Sequence, residues 1–286
     1  MGPEDVRKVG VVGAGAMGSG IIEVVARAGA QVVYREIDDE VVARGRAAVE
    51  RSTGKAVQRD KLSQEERDGI LGRVEGTTDL DEMADVDLVI EAATEDLETK
   101  LDVFRRLDEI TRPEVVLCTN TSSIPIVGLA VATKRPDRVI GTHFFNPPPV
   151  MQLLEVIPAL TTSKETVSFV KAFGERLGKR VVQSKDRAGF IVNFLLVPYL
   201  NSAARMYDEG FATREDIDAA VTLGLGHPMG PLTLLDFIGL DTALHVSNVL
   251  FDEFKDPLYA APTVLKRMVE AGFLGRKSGR GFYEYD

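Results

Sequence analysis

Short runs of aliphatic and β-branched residues alternate with longer amphipathic segments over the first two thirds of the chain. The runs have the length and composition of buried strands, and the segments between them carry apolar residues at helical spacing. The predicted strands are Lys8–Val12, Gln31–Arg35, Arg73–Gly76, Leu88–Glu91, Val115–Thr119 and Val139–His143. The predicted helices are Gly18–Ala28, Asp38–Arg51, Leu97–Thr111 and Ile124–Ala132. This alternation is typical of βαβ units and predicts an α/β fold with a parallel, doubly wound sheet.

The pattern changes after Pro147. Two more strands are predicted at Gln152–Ile157 and Lys179–Gln183, with the helix Lys164–Leu177 between them, and these should extend the far side of the sheet. From Phe190 onward the apolar spacing is helical. The helices predicted there are Ile191–Asp208, Arg214–Leu223, Pro231–Ile238, Asp241–Phe254 and Thr263–Ala271. We therefore expect a sheet domain over residues 1–186 and an all-helical C-terminal domain over residues 187–286.

A glycine-rich turn follows the first predicted strand and opens the first predicted helix. In Gly13-Ala-Gly-Ala-Met-Gly18, the first glycine permits a tight turn, Gly15 lets the backbone approach a pyrophosphate, and Gly18 allows close helix packing. The amides of the helix start, at Ala16 and Met17, favour phosphate binding. This context predicts a Rossmann-type dinucleotide-binding domain.

Glu36 directly follows the second predicted strand and lies 18 residues after Gly18. This is close to the offset of the carboxylate that binds the adenosine ribose, and a carboxylate there repels the 2′-phosphate of NADP. The neighbouring Arg35 could instead accommodate that phosphate. The sequence favours NAD and leaves NADP possible.

Composition excludes several functional classes. The 286-residue chain has a formal net charge of −10, which disfavours nucleic-acid binding, and it contains no run of 18 apolar residues that would predict a membrane span. A single cysteine, Cys118, excludes a disulfide framework and lies in a predicted buried strand. The simplest expectation is a cytoplasmic protein.

His143 is the main candidate for acid–base chemistry. Imidazole exchanges protons near neutral pH, and a carboxylate such as Glu155 could fix its tautomer and stabilise the imidazolium. The alternative is a histidine at a strand end and a solvated glutamate. The chain has only two other histidines. His227 lies in a Pro/Gly loop and is expected to be structural, and His245 is expected to be a core residue of a helix.

Two further polar positions allow more than one interpretation. Ser122, in Thr119-Asn-Thr-Ser-Ser123, follows a predicted strand at the carboxyl edge of the sheet. Its hydroxyl could bind a substrate oxygen, or the hydroxyls there could only cap the next helix. Asn193 is the polar side chain at an otherwise apolar helix start, and it could face a substrate or satisfy a backbone group.

Taken together, the motifs resemble those of the L-3-hydroxyacyl-CoA dehydrogenases, and most of all the short bacterial 3-hydroxybutyryl-CoA dehydrogenases. The resemblance covers essentially the whole chain. It is carried by Gly13–Gly18, Asn120–Ser123, His143–Pro147, Glu155, Gly189–Asn193, His227–Pro231 and Leu274–Tyr283.

The resemblance implies a role for each matching position. His143 corresponds to the catalytic base and Glu155 to its carboxylate partner, while Ser122 and Asn193 would hold the reacting oxygen and support the histidine. Other positions correspond to residues of the cofactor site or of the CoA-phosphate site. The cofactor positions are Gly13, Gly15, Ala16, Met17, Gly18, Glu36, Glu95, Lys100, Asn120 and Asn146, and those for CoA are Lys55 and Arg59.

The implied activity is reversible oxidation of an (S)-3-hydroxyacyl-CoA, with an acyl-CoA as partner molecule and a homodimer formed through the C-terminal helical domain. Two alternatives remain open, namely a dehydrogenase of free hydroxy acids or sugar acids and a non-catalytic dinucleotide-binding module. Lys55 and Arg59 could also be an ordinary solvated helix face. Many relatives carry arginine where this chain has Phe194, so no role is predicted for that position.

Overall fold

The computed structural model describes residues 2–285 and divides the chain into two compact units. The N-terminal unit comprises residues 1–186 and the C-terminal unit residues 187–286.

An eight-stranded sheet forms the centre of the N-terminal unit. Its strands follow the spatial order β3-β2-β1-β4-β5-β6-β7-β8, and the predicted α/β fold with a Rossmann-type sheet is confirmed. The strands are β1 (Lys8–Val12), β2 (Gln31–Arg35), β3 (Val74–Thr77), β4 (Leu88–Glu91), β5 (Val116–Thr119), β6 (Val139–Phe144), β7 (Leu153–Pro158) and β8 (Arg180–Gln183).

Six helices belong to this unit within residues 2–186. Several begin at side chains that accept a hydrogen bond from the first helical turn, which satisfies backbone donors that a helix leaves open. Asp38 accepts from the amide of Val41, and Ser63 forms a reciprocal capping box with Glu66. The helices are α1 (Ala16–Arg27), α2 (Asp39–Gln58), α3 (Gln64–Leu71), α4 (Leu97–Ile110), α5 (Ile126–Val131) and α6 (Lys164–Arg176).

The order of the strands places a crevice at one edge of the sheet. The chain leaves β1 towards β2 and β3, and it then returns to the other side of β1 as β4. Connections that diverge from neighbouring parallel strands leave a gap at their carboxyl ends, where ligands of open α/β sheets bind. The glycine-rich turn after β1 lies at this point of divergence.

The far side of the sheet reverses direction. β1 to β6 are parallel, whereas β7 pairs with β6 in antiparallel fashion and β8 runs parallel to β7. The connection between β6 and β7 carries the three consecutive prolines, Pro147–Pro149. The residues that end β6 therefore lie beside those that begin β7.

The core of the unit is formed by the apolar faces of the strands and helices. Cys118 on β5 is only 1% exposed, and burial raises the pKa of its thiol to about 12. Because a thiolate is the reactive form, this cysteine is an inert core residue at neutral pH.

Five helices make up the C-terminal unit within residues 187–285. Their apolar faces enclose a core that includes Leu200, Leu232 and Leu265, each no more than 3% exposed. The expectation that His245 belongs to this core is wrong, because its side chain lies on the exposed face of its helix. The helices are α7 (Val192–Asp208), α8 (Arg214–Leu225), α9 (Pro231–Ile238), α10 (Leu240–Phe254) and α11 (Thr263–Glu270).

A buried carboxylate on α9 holds the segment from Phe282 to Tyr285 against that helix. Asp236 is 1% exposed and accepts hydrogen bonds from the amides of Phe282 and Tyr283 and from the hydroxyl of Tyr285, at 2.8 to 2.9 Å. A Cβ on Gly281 would lie 1.9 Å from the Asp236 carboxylate. A glycine at position 281 is therefore required by the close approach of the chain to Asp236.

Within residues 2–285, no single helix is long and apolar enough to cross a membrane. The pair α9 and α10 meets that criterion only when taken together, and the two helices are bent by 97°.

Candidate active site

The glycine-rich turn has the geometry that a dinucleotide requires. Gly13 adopts φ +98°, and a Cβ on Gly18 would lie 1.9 Å from the carbonyl oxygen of Gly13. A side chain at either position would be strained or would clash. Gly15, in contrast, is exposed and would place its Cβ in open space. The side of the turn at Gly13 and Gly18 is therefore closely packed, and the side at Gly15 is open. A pyrophosphate can approach the backbone amides and the start of α1 from that open side.

Glu36 is held against this turn. Its Oε1 accepts a hydrogen bond from the amide of Ala14, and its Oε2 accepts one from the amide of Ile37 at 3.3 Å. The carboxylate is partly exposed beside the glycine-rich turn, where it can accept from a ribose hydroxyl. Arg35 donates to the carbonyl of Thr78 at 3.2 Å. The residues at this edge fit a dinucleotide with an unmodified ribose.

The proposed acid–base pair is formed by two neighbouring strands. His143 and Glu155 are directly opposite each other in the antiparallel ladder of β6 and β7, and Nδ1 of the ring lies 2.8 Å from Oε2 of the carboxylate. His143 is 6% exposed and Glu155 is 0% exposed. The alternative of a solvated glutamate is therefore wrong.

Burial strengthens the contact between these two side chains, since a low local dielectric strengthens a hydrogen bond between partners that are fully satisfied. The carboxylate can only accept, so the neutral ring donates from Nδ1–H and carries its basic lone pair on Nε2. This is the tautomer that a general base needs.

A second carboxylate holds the turn that carries Ser122. Oε1 of Glu95 accepts from the amide of Ser122 at 2.9 Å and from the hydroxyl of Thr121 at 2.5 Å, and the hydroxyl of Ser123 lies 3.1 Å away. Burial disfavours the ionised form of Glu95, but Lys100 and these donors outweigh it and hold the pKa of the carboxyl below its usual range. Glu95 therefore stays an acceptor for the Ser122 turn.

One hydroxyl of this turn caps the chain at Ile124, as the capping alternative expected, but α5 itself begins two residues later. The first two amides of that helix, Ile126 and Val127, donate to the carboxylate of Asp186, each at 2.9 Å. Of the turn hydroxyls, Thr121 accepts from the amide of Ile124 at 2.9 Å. Ser122 is partly exposed, and its hydroxyl lies 3.4 Å from Glu95.

Lys100 occupies a different environment from the other cofactor candidates. It is 1% exposed, and its Nζ lies 2.6 Å from Oε1 of Glu91 and 3.5 Å from Oε2 of Glu95. Glu91 is itself 0% exposed. Sequence reasoning missed Glu91, although an acidic residue that ends an otherwise apolar strand is a signal that could have identified it.

The two asparagine candidates lie near the end of β6. Oδ1 of Asn120 accepts from the amide of Phe144 at 2.9 Å, which ties the end of β5 to the strand that carries His143. Asn146 is exposed in the loop that follows β6. Both remain candidates for the cofactor site.

Asn193 belongs to the C-terminal unit, where it is the second residue of α7 and partly exposed. The segment before it contains two residues with positive φ, Gly189 at +77° and Phe190 at +46°. Phe194 packs its ring under the guanidinium of Arg187 at 4.0 Å. The aromatic residue at position 194 thus has a local partner within this unit.

Comparison with known proteins gives one family for both units. Residues 8–187 match the NAD-binding domain of 3-hydroxyacyl-CoA dehydrogenase, and residues 189–285 match the C-terminal domain of 3-hydroxyacyl-CoA dehydrogenase.

The chain belongs to the 3-hydroxyacyl-CoA dehydrogenase family.

Full-length relatives agree with this membership. The chain is 52% identical over 282 residues to a 3-hydroxybutyryl-CoA dehydrogenase of Mycobacterium tuberculosis, covering 98% of this chain and 99% of the relative. The crystal structure of Mycobacterium tuberculosis FadB2 matches with a TM-score of 0.97 and 51% identity, covering 98% of this chain and 99% of that one. The (S)-3-hydroxybutyryl-CoA dehydrogenase from Ralstonia eutropha matches with a TM-score of 0.93 and 45% identity, covering 99% and 100%. The predicted oxidoreductase class and the NAD cofactor are confirmed.

The residues expected to contact CoA lie at one end of α2 in this 3-hydroxyacyl-CoA dehydrogenase fold. Lys55 is in the last turn of the helix and Arg59 is the residue that follows its end, and both side chains are exposed. The helix is longer than predicted, so both positions are held by regular structure. Basic side chains near a helix C-terminus also interact favourably with its dipole.

Glu36→Gln should weaken the discrimination between the two cofactors. Glutamine keeps an oxygen that can accept from the amide of Ala14 but removes the charge that repels a 2′-phosphate. A hydrogen bond to a charged group contributes about 1.5–3 kcal/mol, so kcat/KM for NADH should fall about tenfold or more, and the preference for NADH over NADPH should fall with it. Steady-state kinetics with both cofactors measure this change.

Glu40→Gln is the matched control for the loss of charge, because Glu40 is exposed on α2 and pairs with Arg44. It should leave the cofactor preference unchanged. An unchanged preference in Glu36→Gln would contradict the assignment of Glu36 to the ribose.

Proposed function

We propose that the chain catalyses the reversible NAD-dependent oxidation of (S)-3-hydroxyacyl-CoA thioesters to 3-ketoacyl-CoA, with 3-hydroxybutyryl-CoA as substrate. The observation that carries this proposal is the buried pair of His143 and Glu155, joined at 2.8 Å at the carboxyl end of β6. The family membership and the names of full-length relatives support the same reaction.

Each proposed catalytic residue acts either on the proton of the 3-hydroxyl group or on its oxygen. In the direction of oxidation, Nε2 of His143 takes the proton of the 3-hydroxyl group, and Glu155 stabilises the imidazolium that forms. Ser122 and Asn193 donate hydrogen bonds to the oxygen at C3, which contribute most as negative charge develops there. In the direction of reduction, the same imidazolium returns the proton.

The cofactor is held by residues of the N-terminal unit. The glycine-rich turn of Gly13, Gly15 and Gly18 and the first residues of α1 would bind the pyrophosphate, with Glu36 on the ribose. When bound, NAD supplies the hydride acceptor for C3, since the redox chemistry belongs to the cofactor. Further proposed contacts on the nicotinamide side come from Glu95, Asn120 and Asn146, with Lys100 supporting Glu95.

The decisive experiment compares thioester and free acid. Acetoacetyl-CoA should be reduced with NADH, and longer 3-ketoacyl-CoAs tested beside it give the range of chain lengths. Free acetoacetate should be reduced far more slowly. Equal rates on the free acid would support a hydroxy-acid dehydrogenase instead, and NADH binding without turnover of any acyl-CoA would support a non-catalytic module.

Lys55→Gln/Arg59→Gln is expected to raise KM for acetoacetyl-CoA with little change in kcat. Each basic side chain lost from a phosphate contact removes binding that is the same in the ground and transition states. Exposed charge pairs contribute about 0.2–1 kcal/mol each, so the loss of two should raise KM about two- to thirtyfold, and this increase should shrink at high salt.

The control for that variant is Arg44→Gln, which removes a basic residue from the exposed face of the same helix. It should leave KM unchanged. If the double variant and the control behave alike, Lys55 and Arg59 form an ordinary solvated surface.

A homodimer formed through the C-terminal unit and a cytoplasmic location are further parts of the proposal. Large apolar side chains are exposed on this unit, with Leu195 at 66%, Leu223 at 85% and Leu225 at 66%. Burial of such side chains against a second copy would remove them from water. Light scattering of the purified protein should give a mass of about twice 31.2 kDa, which is the mass of one chain.

The cytoplasmic location is based on Cys118, the single cysteine of the chain, which is buried. A chain with one cysteine forms no internal disulfide, and this fits a reducing compartment.

A further inference from the structure

Glu91 and Lys100 form an ion pair that water hardly reaches. Glu91 ends β4 with a side chain that is 0% exposed, Lys100 lies in the first part of α4 with 1% exposed, and Nζ and Oε1 are 2.6 Å apart. Burial of two charges is costly, and such a pair often stabilises a fold no better than apolar side chains of similar volume. Stability alone therefore does not explain why the ion pair of Glu91 and Lys100 is buried.

Both carboxylate oxygens of Glu91 are occupied, and they tie three elements together. Oε1 accepts from Lys100 and also from the amide of Ala93 at 2.7 Å. Oε2 accepts from the hydroxyl of Thr119 at 2.6 Å, and Thr119 is the last residue of β5. Glu91 thus fixes the end of β5 and the start of α4 relative to β4.

The network continues from Lys100 to the turn of Ser122. Nζ of Lys100 lies 3.5 Å from Oε2 of Glu95, whose other oxygen accepts from the amide of Ser122 at 2.9 Å. The carboxylates of Glu91 and Glu95 share the ammonium group of Lys100. The electrostatic attraction between Lys100 and Glu95 therefore depends on the charge of Glu91. A change at Glu91 is therefore transmitted to the oxygen that holds Ser122.

We propose that Glu91 is a positioning residue for Ser122, acting through Lys100 and Glu95. The inference rests on the proposed function, in which Ser122 donates to the oxygen at C3. Loss of the negative charge at position 91 leaves Lys100 with one counter-charge, and the ammonium then pulls Glu95 away from the donors of the Ser122 turn. Misplacement of a positioning group by about 1 Å can cost up to about 10²-fold in rate.

The test is a double-mutant cycle between Glu91→Gln and Ser122→Ala, measured with acetoacetyl-CoA at saturating NADH. Glu91→Gln should lower kcat about tenfold or more, because the contact of Ser122 strengthens in the transition state, and it should change KM for acetoacetyl-CoA by less than about threefold. In the Ser122→Ala background, Glu91→Gln should lower kcat by less than about twofold, because the residue through which it acts is gone.

Asp108→Asn is the matched control for the loss of a buried carboxylate. Asp108 lies on α4 as Lys100 does, it pairs with Arg135 at 2.7 Å, and its side chain is 6% exposed. This variant should lower the melting temperature and leave kcat unchanged. If Glu91→Gln does not fold, Thr119→Val removes at nearly constant volume one donor to Glu91 and, with it, the acceptor of the Thr121 amide at 3.3 Å. Its effect on kcat should likewise disappear in the Ser122→Ala background.

The outcomes separate the positioning role from the proposed function. Effects that multiply in the double variant, or a Glu91→Gln variant that loses only stability, would overturn the positioning role and leave the proposed function intact. Wild-type kcat in Ser122→Ala would overturn the role of Ser122 in the proposed function, and with it the inference about Glu91.

Discussion

His143→Gln is expected to lower kcat for reduction of acetoacetyl-CoA by about 10²–10⁴-fold, the range typical of a lost general acid or base. Glutamine has a similar reach and can still donate a hydrogen bond to Glu155, so the buried carboxylate keeps a partner. It cannot take up or release a proton near neutral pH. The expected loss is therefore chemical rather than structural, and steady-state kinetics at saturating NADH measure it.

Binding and stability measurements separate chemistry from folding in this variant. The dissociation constant for NADH and the melting temperature should stay close to those of the wild type, because Gly13–Gly18 and Glu36 are unchanged. His245→Gln is the matched control, since His245 is exposed on α10 and should be replaceable without loss of activity. A rate in His143→Gln within tenfold of the wild type would show that another group transfers the proton.

Gly18→Ala and Gly15→Ala are expected to behave in opposite ways although both add a single methyl group. At Gly18 the new Cβ would lie 1.9 Å from the carbonyl oxygen of Gly13, so α1 and the turn must move apart. Overpacking costs about 1–3 kcal/mol and occasionally more, which corresponds to about 2–12 °C in melting temperature for a domain of this size. Binding of NADH should be largely lost with it.

Gly15→Ala should fold as well as the wild type, because nothing lies within 4 Å of the new Cβ. The methyl group would occupy the space through which the pyrophosphate approaches the backbone, and the affinity for NADH should fall about tenfold, which is 1.4 kcal/mol. Calorimetry of NADH binding, together with thermal unfolding, tests both variants. Full NADH affinity in Gly15→Ala would mean that the cofactor does not approach this side of the turn.

The features that sequence could predict are those with a local cause. Strand-helix alternation predicted the doubly wound sheet, and glycine spacing identified a turn whose φ of +98° at Gly13 only glycine adopts readily. The pairing of His143 with Glu155 could be anticipated because both residues flank one short loop between two strands. In each case the residues concerned are close along the chain.

The features that sequence could not predict depend on distant contacts. Thr119 is 28 residues from Glu91 and Phe282 is 46 residues from Asp236, and only the tertiary fold brings each of them to its buried carboxylate. His245 shows the opposite case, since an apolar helix suggested burial although its face is exposed. Burial of a polar residue depends on what packs on it, and a helical pattern alone does not supply that information.

The antiparallel pairing of β6 with β7 has a consequence for how the loop between the two strands can vary. His143 and Glu155 are opposite each other in a backbone ladder, so their distance is set by strand register and not by the loop between them. The segment from Pro147 to Gln152 can therefore change in sequence or length while the proton-transfer pair stays intact, provided that β7 keeps its register. A shift of β7 by one residue would instead turn Glu155 to the opposite face of the sheet. Variants that differ only in residues 147–152 should thus retain the acid–base chemistry.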